Sequence, residues 1–309
     1  MASSSAPGES RLALGAGIGC YLIWGFVPLV FQAIGAMGVS PWEILSHRVI
    51  WSLPTALLLV ALVGQLPHAR QALRNLRTLA WLAVSALLIA TNWMIFIWAV
   101  NSSRVLEASL GYYITPLINM AAGALLFRER IDRLGYAAMA LAGAGVAAQA
   151  LALGALPATS IALALSFGGY GIVRKRVAAD AQTGFLIECL AVCLPALAYV
   201  VWLARTGHAH FGAGAEVTAW LVASGPITAV PLVLFAWAAR RIPLSAMGFL
   251  QFLSPTISFG IGLAEGESFT PTRALSFAFI WAGAAVFLWG AWMRARAVRL
   301  AIAEVAPAE

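Results

Sequence analysis

Charge is the scarcest property of this chain. Its 309 residues include only 12 Asp plus Glu and 19 Lys plus Arg, about a tenth of the sequence, where a soluble domain carries about a quarter. Histidine, with four residues, and cysteine, with three, are sparser still. Cys20, Cys189 and Cys193 all fall inside apolar runs, which argues against a disulfide framework and for buried thiols. The chain has no His-Glu-x-x-His, no Gly-x-Ser-x-Gly, no cysteine–histidine metal set and no P-loop. These absences argue against metal-dependent hydrolysis, an α/β-hydrolase nucleophile and ATP-driven work by this chain alone. No metal and no cofactor is expected. A net charge of +7 on so apolar a chain points to basic loops at a membrane surface and not to nucleic acid.

What the chain has is hydrophobic residues, 62% of the total. At about 20 residues per span, they resolve into apolar runs near 12–34, 41–63, 78–100, 106–127, 134–153, 156–173, 182–203, 217–238, 243–264 and 273–293. Ten spans leave no room for a separate soluble domain, so the expected fold is an all-α integral membrane protein. The first run is too long for a cleaved signal peptide and contains Pro28. Residues 1–10 and 294–309 read as tails, the second of them cytoplasmic.

Basic residues alternate with the spans. Arg11, the Arg70/Arg74/Arg77 and Arg128/Arg130/Arg133 groups, Arg174-Lys175-Arg176, Arg240-Arg241 and the Arg294/Arg296/Arg299 group share one side and hold fifteen of the 19 cations. Arg48, Arg104, Arg205 and Arg273 fall on or near the other. The positive-inside rule then predicts an even number of spans with both termini cytoplasmic.

The chain also matches itself weakly. At an offset of 139, Phe96, Trp98, Ala99, Pro116, Ile118 and Gly123 meet Phe235, Trp237, Ala238, Pro255, Ile257 and Gly262. An offset of 141 sets Leu53-Pro54 on Leu194-Pro195, and one of 146 sets Trp24-Gly25 on Tyr170-Gly171. Repeats at 11–153 and 154–293 would each hold five spans, and an odd number forces the second to enter the membrane upside down. Inverted repeats recur in secondary transporters, which bind solute at the midplane between the halves.

An ionisable side chain at membrane depth costs at least about 2.5–3.5 kcal/mol, so each one needs a partner or a wet cavity. Glu43, His47 and Arg48 open the second span, with Glu43 and His47 one turn apart. Arg104 and Glu107 open the fourth at the same level and are expected to complete an acid–base cluster there. That cluster reads equally as a gate or proton relay and as a structural knot. Glu188, at the repeat position of His47, is its counterpart from the opposite face, with a structural bond to a neighbouring helix as the equal alternative. Pro116 and Pro255 free backbone carbonyls in corresponding spans and are expected to kink them beside a cavity. Asn92, Tyr112 and Gln251, with Trp24, Trp98 and Tyr170, are candidates for its wall, although aromatics at this depth more often serve packing. Trp42, Trp81, Trp220 and Trp292 suit the interfaces.

The motifs resemble one family. Trp24-Gly25, the run Glu43-Ile44-Leu45-Ser46-His47-Arg48-Val49-Ile50-Trp51-Ser52, Asn92-Trp93 and Phe96 to Asn101 carry the likeness in the first three spans. Leu106-Glu107-Ala108-Ser109-Leu110-Gly111-Tyr112 with Pro116-Leu117 is the strongest stretch. Tyr170-Gly171-Ile172-Val173-Arg174-Lys175, Gln182-Thr183-Gly184 and Gly248-Phe249-Leu250-Gln251-Phe252 with Ser254-Pro255-Thr256 extend it through the second half. Over nearly its whole length the chain resembles the RarD group of EamA-type permeases in the drug/metabolite transporter superfamily. Arg128-Glu129 departs from that pattern, which usually has Gly-Glu there. The resemblance implies ten helices in two EamA repeats and a permease role in the bacterial inner membrane. A secondary transporter for a small organic solute is the leading expectation, with metabolite or drug export as one option and substrate and direction open. Proton coupling and the choice between monomer and homodimer stay open. The rival class is a membrane-embedded enzyme acting on a lipid or isoprenoid, for which His47 beside Glu43 is the only catalytic pair on offer.

Overall fold

The computed structural model describes residues 7–101, 105–152, 158–264 and 270–305. These residues form helices and short connections, with no strand among them. The helices are α1 (Pro7–Ala36), α2 (Pro41–Leu62), α3 (Leu66–Arg74), α4 (Leu76–Asn101), α5 (Val105–Leu126) and α6 (Arg133–Ala152). They continue as α7 (Ala158–Arg176), α8 (Ala181–Thr206), α9 (Ala215–Ala239), α10 (Leu244–Gln251), α11 (Leu253–Ala264) and α12 (Pro271–Val305). By length and composition α1, α2, α4, α8, α9 and α12 each contain a stretch able to cross a membrane, and shorter apolar stretches lie in α5, α6 and α10–α11.

The elements follow the expected runs, with four corrections. First, α1 begins at Pro7 and not at residue 11 or 12: Pro7 is preorganised for a first helical turn and Glu9 complements the helix dipole there. Second, α12 runs on to Val305, so most of 294–309 is helix and not tail. The strong helix formers Ala and Arg dominate that stretch, and no glycine or proline stops it before Pro307. Third, residues 66–74, expected as plain connection, form the short α3. It buries Ala69 and Ala72 and leaves Arg70 and Arg74 exposed. Fourth, the run 243–264 is two helices broken at Phe252, because Pro255 cannot donate to the Gln251 carbonyl and its ring crowds that position. The expected boundary at 153/154 lies outside the described residues.

Ion pairs gather the connections at one end of the bundle. Arg241 pairs with Glu9 (2.8 Å), Arg240 with Asp180 (3.2 Å), Lys175 with Glu129 (3.2 Å) and Arg294 with Asp132. Thr183 reaches Gln65 in the same region. The start of α1, the α3 region, the α5–α6, α7–α8 and α9–α10 links and the body of α12 thus meet at one arginine-rich end. The α1–α2 and α8–α9 links meet at the other, where Glu43 binds His210. Setting α3 aside and counting α10–α11 once, the described residues form ten helical segments.

Between the ends the most extensive packed pairs among the described residues are α1 with α9, α4 with α7, α2 with α9, α4 with α8, α1 with α11, α5 with α7, α2 with α8, α5 with α10, and α6 with α12. Exchange each of the first five segments for the one five segments later, α1 for α7 through α6 for α12, and the same set of pairs returns. Within lipid such contacts depend on close approach more than on water exclusion. Gly225 shows this: a Cβ there would lie 2.2 Å from the Trp51 backbone, so only glycine lets α9 meet α2 at that crossing.

Candidate functional site

Two buried arginines organise the polar interior. Arg48 lies on α2, two turns from the arginine-poor end. Its Nε donates to Thr228 Oγ1 of α9 at 2.7 Å. Its guanidinium carbon sits 4.2 Å from the Trp93 ring centroid of α4 and 4.8 Å from that of Phe31 of α1. Tyr112 of α5 stands close enough to interact electrostatically and packs edge-on against Phe96 at 5.5 Å. Side chains of four helices therefore converge on one cation. Ser52, one turn along α2, donates to the Arg48 carbonyl at 2.6 Å and approaches the Gly225 carbonyl at 3.2 Å, tying α2 to α9.

Arg174, in the last turn of α7, is fully buried near the arginine-rich end. Its Nη1 lies 3.5 Å from Glu188 Oε1, and Nη2 donates to the carbonyls of Ala181 (3.1 Å) and Asp180 (3.3 Å). Ser85 of α4 donates to the same Glu188 oxygen at 2.6 Å, and Tyr170 adjoins it. Gly184 makes room for the pair: a Cβ there would sit 1.9 Å from Arg174 Nη1. Reading the sequence placed Arg174 among the loop charges. Its Arg-Lys-Arg neighbours hid a side chain that folds inward.

At the arginine-poor end Glu43 lies close enough to His47 to interact electrostatically, and it also accepts from the His210 backbone at 2.7 Å and contacts His210 Nδ1 at 2.8 Å. His210, in the connection between α8 and α9, is thus a partner of Glu43 that the sequence does not signal. The α8–α9 link folds back over the end of α2, and no local spacing signals this. His47 stacks on Phe211 (ring centroids 4.8 Å apart), and neither ring nitrogen has a hydrogen-bond partner among the described residues. Arg104 and the Glu107 side chain lie outside the described residues.

The remaining candidates separate. Asn92 donates to the Leu163 carbonyl (3.0 Å) and to Ser166 Oγ (3.1 Å), joining α4 to α7. Gln251 accepts from Asn119 at 3.0 Å beside the α10–α11 break. Trp24 and Tyr170 meet in one aromatic cluster with Tyr21, Phe167 and Phe235, at centroid distances of 5.3–6.4 Å. Trp98 is a correction. It is 45% exposed and continues the exposed stripe of Val84, Leu87 and Thr91, so helical periodicity sets it on the outer face of α4 and not among the buried polar residues. Pro116 leaves α5 unbroken, whereas Pro255 lies just beyond the break at Phe252. No group of three or more His, Cys, Asp or Glu positioned to hold a metal occurs among the described residues.

Glu129 closes the arginine-rich end, in the link that departs from the usual Gly-Glu. It accepts from the backbone N–H of Leu244 (2.7 Å) and Ser245 (3.1 Å) and from Ser245 Oγ (2.7 Å), while Lys175 stands at 3.2 Å. Burial pushes its carboxyl up, but these hydrogen bonds and the lysine together hold it below its ordinary value.

Known proteins match this architecture. Residues 11–149 match the EamA-like transporter family. An uncharacterized transporter of Vibrio cholerae is 42% identical over 272 residues, covering 87% of this chain and 89% of its own. This chain belongs to the EamA-like transporter family. The protein RarD of Streptomyces exfoliatus is 38% identical over 98% of this chain and 96% of its own, and RarD of Escherichia coli 38% identical over 91% and 95%. A crystal structure at 19% identity shares the fold, with a TM-score of 0.67 over 89% of this chain and 95% of that one. The RarD resemblance read from the motifs therefore holds across nearly the whole length, and the chain is a multi-pass membrane permease.

Proposed function

We propose that this permease moves a small organic solute across the bacterial inner membrane by alternating access, with halves 11–153 and 154–293 related by an inverted pseudo-twofold axis. The observation that carries the reading is the exchange symmetry of the helix pairs: α2–α9 and α4–α8 are equivalent contacts at opposite ends. Each is bridged by a buried polar side chain of α2 or α8, Arg48 to Thr228 in one and Glu188 to Ser85 in the other. An inverted pair has two equivalent packings that differ only in which end is closed, as alternating access requires. With the arginine-rich end taken as cytoplasmic, both termini lie inside.

Flux into proteoliposomes from a panel of labelled organic acids, amino acids and amphenicols, with and without an imposed pH gradient, tests the transport reading. Saturable uptake of at least one solute supports it, and uptake no faster than in protein-free liposomes refutes it. Orientation has a separate test in a cysteine-free background. A membrane-impermeant maleimide should label His208→Cys in intact cells and Arg70→Cys only after lysis, both positions being exposed. The reverse pattern overturns the orientation.

A further inference from the structure

Arg48 and Arg174 are both buried, and among the described residues only Arg174 has a carboxylate within ion-pair distance. Arg174 has Glu188 at 3.5 Å and two backbone carbonyls. Arg48 has one hydroxyl at Nε and two aromatic faces, and no carboxylate pairs with it among the described residues. A cation this deep is costly unless something of opposite charge visits it.

We propose that the guanidinium of Arg48 is the binding site for the anionic group of the transported solute, and that the solute is a monocarboxylate with an apolar body. Three features point to that class. The Thr228 bond holds Nε, which leaves the paired Nη donors as a planar fork matched to the two oxygens of a carboxylate. A single positive charge balances one negative charge, so a dianionic phosphate would bring an excess into a low-dielectric site. The aromatic side chains around it are Phe31, Trp93 and Tyr112, with Phe96 packed against Tyr112, and they suit an apolar or aromatic remainder. The same four helices, α1, α4, α5 and α9, make the contacts exchanged in the proposed symmetry, so solute at Arg48 sits where both halves feel it. This inference deepens the transport reading and rests on it.

The test uses the purified full chain in detergent, read by thermal shift, with acetate, butyrate and phenylacetate as probes, phenylacetamide as the neutral match and phenyl phosphate as the dianion. The expected result is saturable stabilisation by phenylacetate, less by the smaller acids, and none by phenylacetamide or phenyl phosphate. Arg48→Gln should weaken phenylacetate at least tenfold, and Arg48→Lys should weaken it less. If Arg48→Gln does not fold, Thr228→Val, which frees Nε and loosens the fork, should weaken phenylacetate several-fold. Equal stabilisation by the amide, stronger stabilisation by the phosphate, no shift by any carboxylate, or undiminished binding in Arg48→Gln each overturns the proposal. Proteoliposome flux separates the two readings. Uptake of phenylacetamide that Arg48→Gln leaves unchanged refutes anion selection and keeps the permease. Carboxylate binding lost in Arg48→Gln, with no solute moved, keeps the site and refutes transport.

Discussion

The two ends of the bundle treat a buried arginine in opposite ways. Near the arginine-rich end Arg174 is enclosed by Glu188, Ser85 and the start of α8, with Gly184 cut away to admit it. Toward the other end Arg48 rests on aromatic faces, held by one hydroxyl. A charge held against an opposite charge inside the protein favours one packing of helices, even though Arg174 Nε and Nη1 have no hydrogen-bond partner among the described residues. A charge left short of a partner costs stability and keeps the capacity to recognise something. In one chain, the same residue type is therefore ion-paired at one site and, among the described residues, has no carboxylate partner at the other.

This contrast can be broken by measurement. The largest effect is expected from Glu188→Ala, which strands Arg174 and should cost about 3–5 kcal/mol, read as loss of monodisperse protein after detergent extraction. Arg174→Gln combined with Glu188→Gln should recover much of that loss; a double variant as unstable as the single would show that the pair is not the strut. Gly184→Ala is next, at about 1–3 kcal/mol from overpacking, since its methyl must displace the guanidinium. That cost should vanish when Arg174 is already Gln, and a cost that persists would place the strain elsewhere. Arg48→Gln should cost only about 0.5–1.5 kcal/mol, the worth of one hydrogen bond. Instability equal to that of Glu188→Ala would erase the distinction between the two arginines.

The smallest effect concerns pH. The Glu129 carboxyl titrates below its ordinary value when folded, so the stability it contributes is present above the unfolded value of about 4.3 and is lost as pH falls through the folded value. Glu129→Gln should therefore lower thermal stability at pH 7 by about 1 kcal/mol and flatten its decline between about pH 5 and 3. An unchanged acid limb would show that Glu129 does not fasten α10 in this way.

Much of the fold was legible because lipid imposes a strict code. Apolar runs of about 20 residues, interrupted by arginines on alternate sides, leave few arrangements open, and the helices begin and end near those marks. Departures occurred where the code is silent: beyond the membrane, where α1 and α12 extend, and inside a span, where Pro255 splits a run that hydropathy reads as continuous. The site was legible only in part. Glu43, Arg48 and Glu188 stood out because charge at depth demands an explanation, and all three are buried. Their partners did not stand out. His210 lies 167 residues from Glu43 and Thr228 lies 180 residues from Arg48. Arg174 looked like one of three basic loop residues until the turn into α8 enclosed it.

The one-dimensional chain thus determined that this protein lives in lipid, that it crosses repeatedly, and which side chains cannot be idle there, since the transfer cost of each residue depends on its own chemistry. Only tertiary structure decided which of those side chains are satisfied. Neutralising a charge takes a partner within a few ångströms, and such closeness is made by helices that meet in space from far apart in sequence.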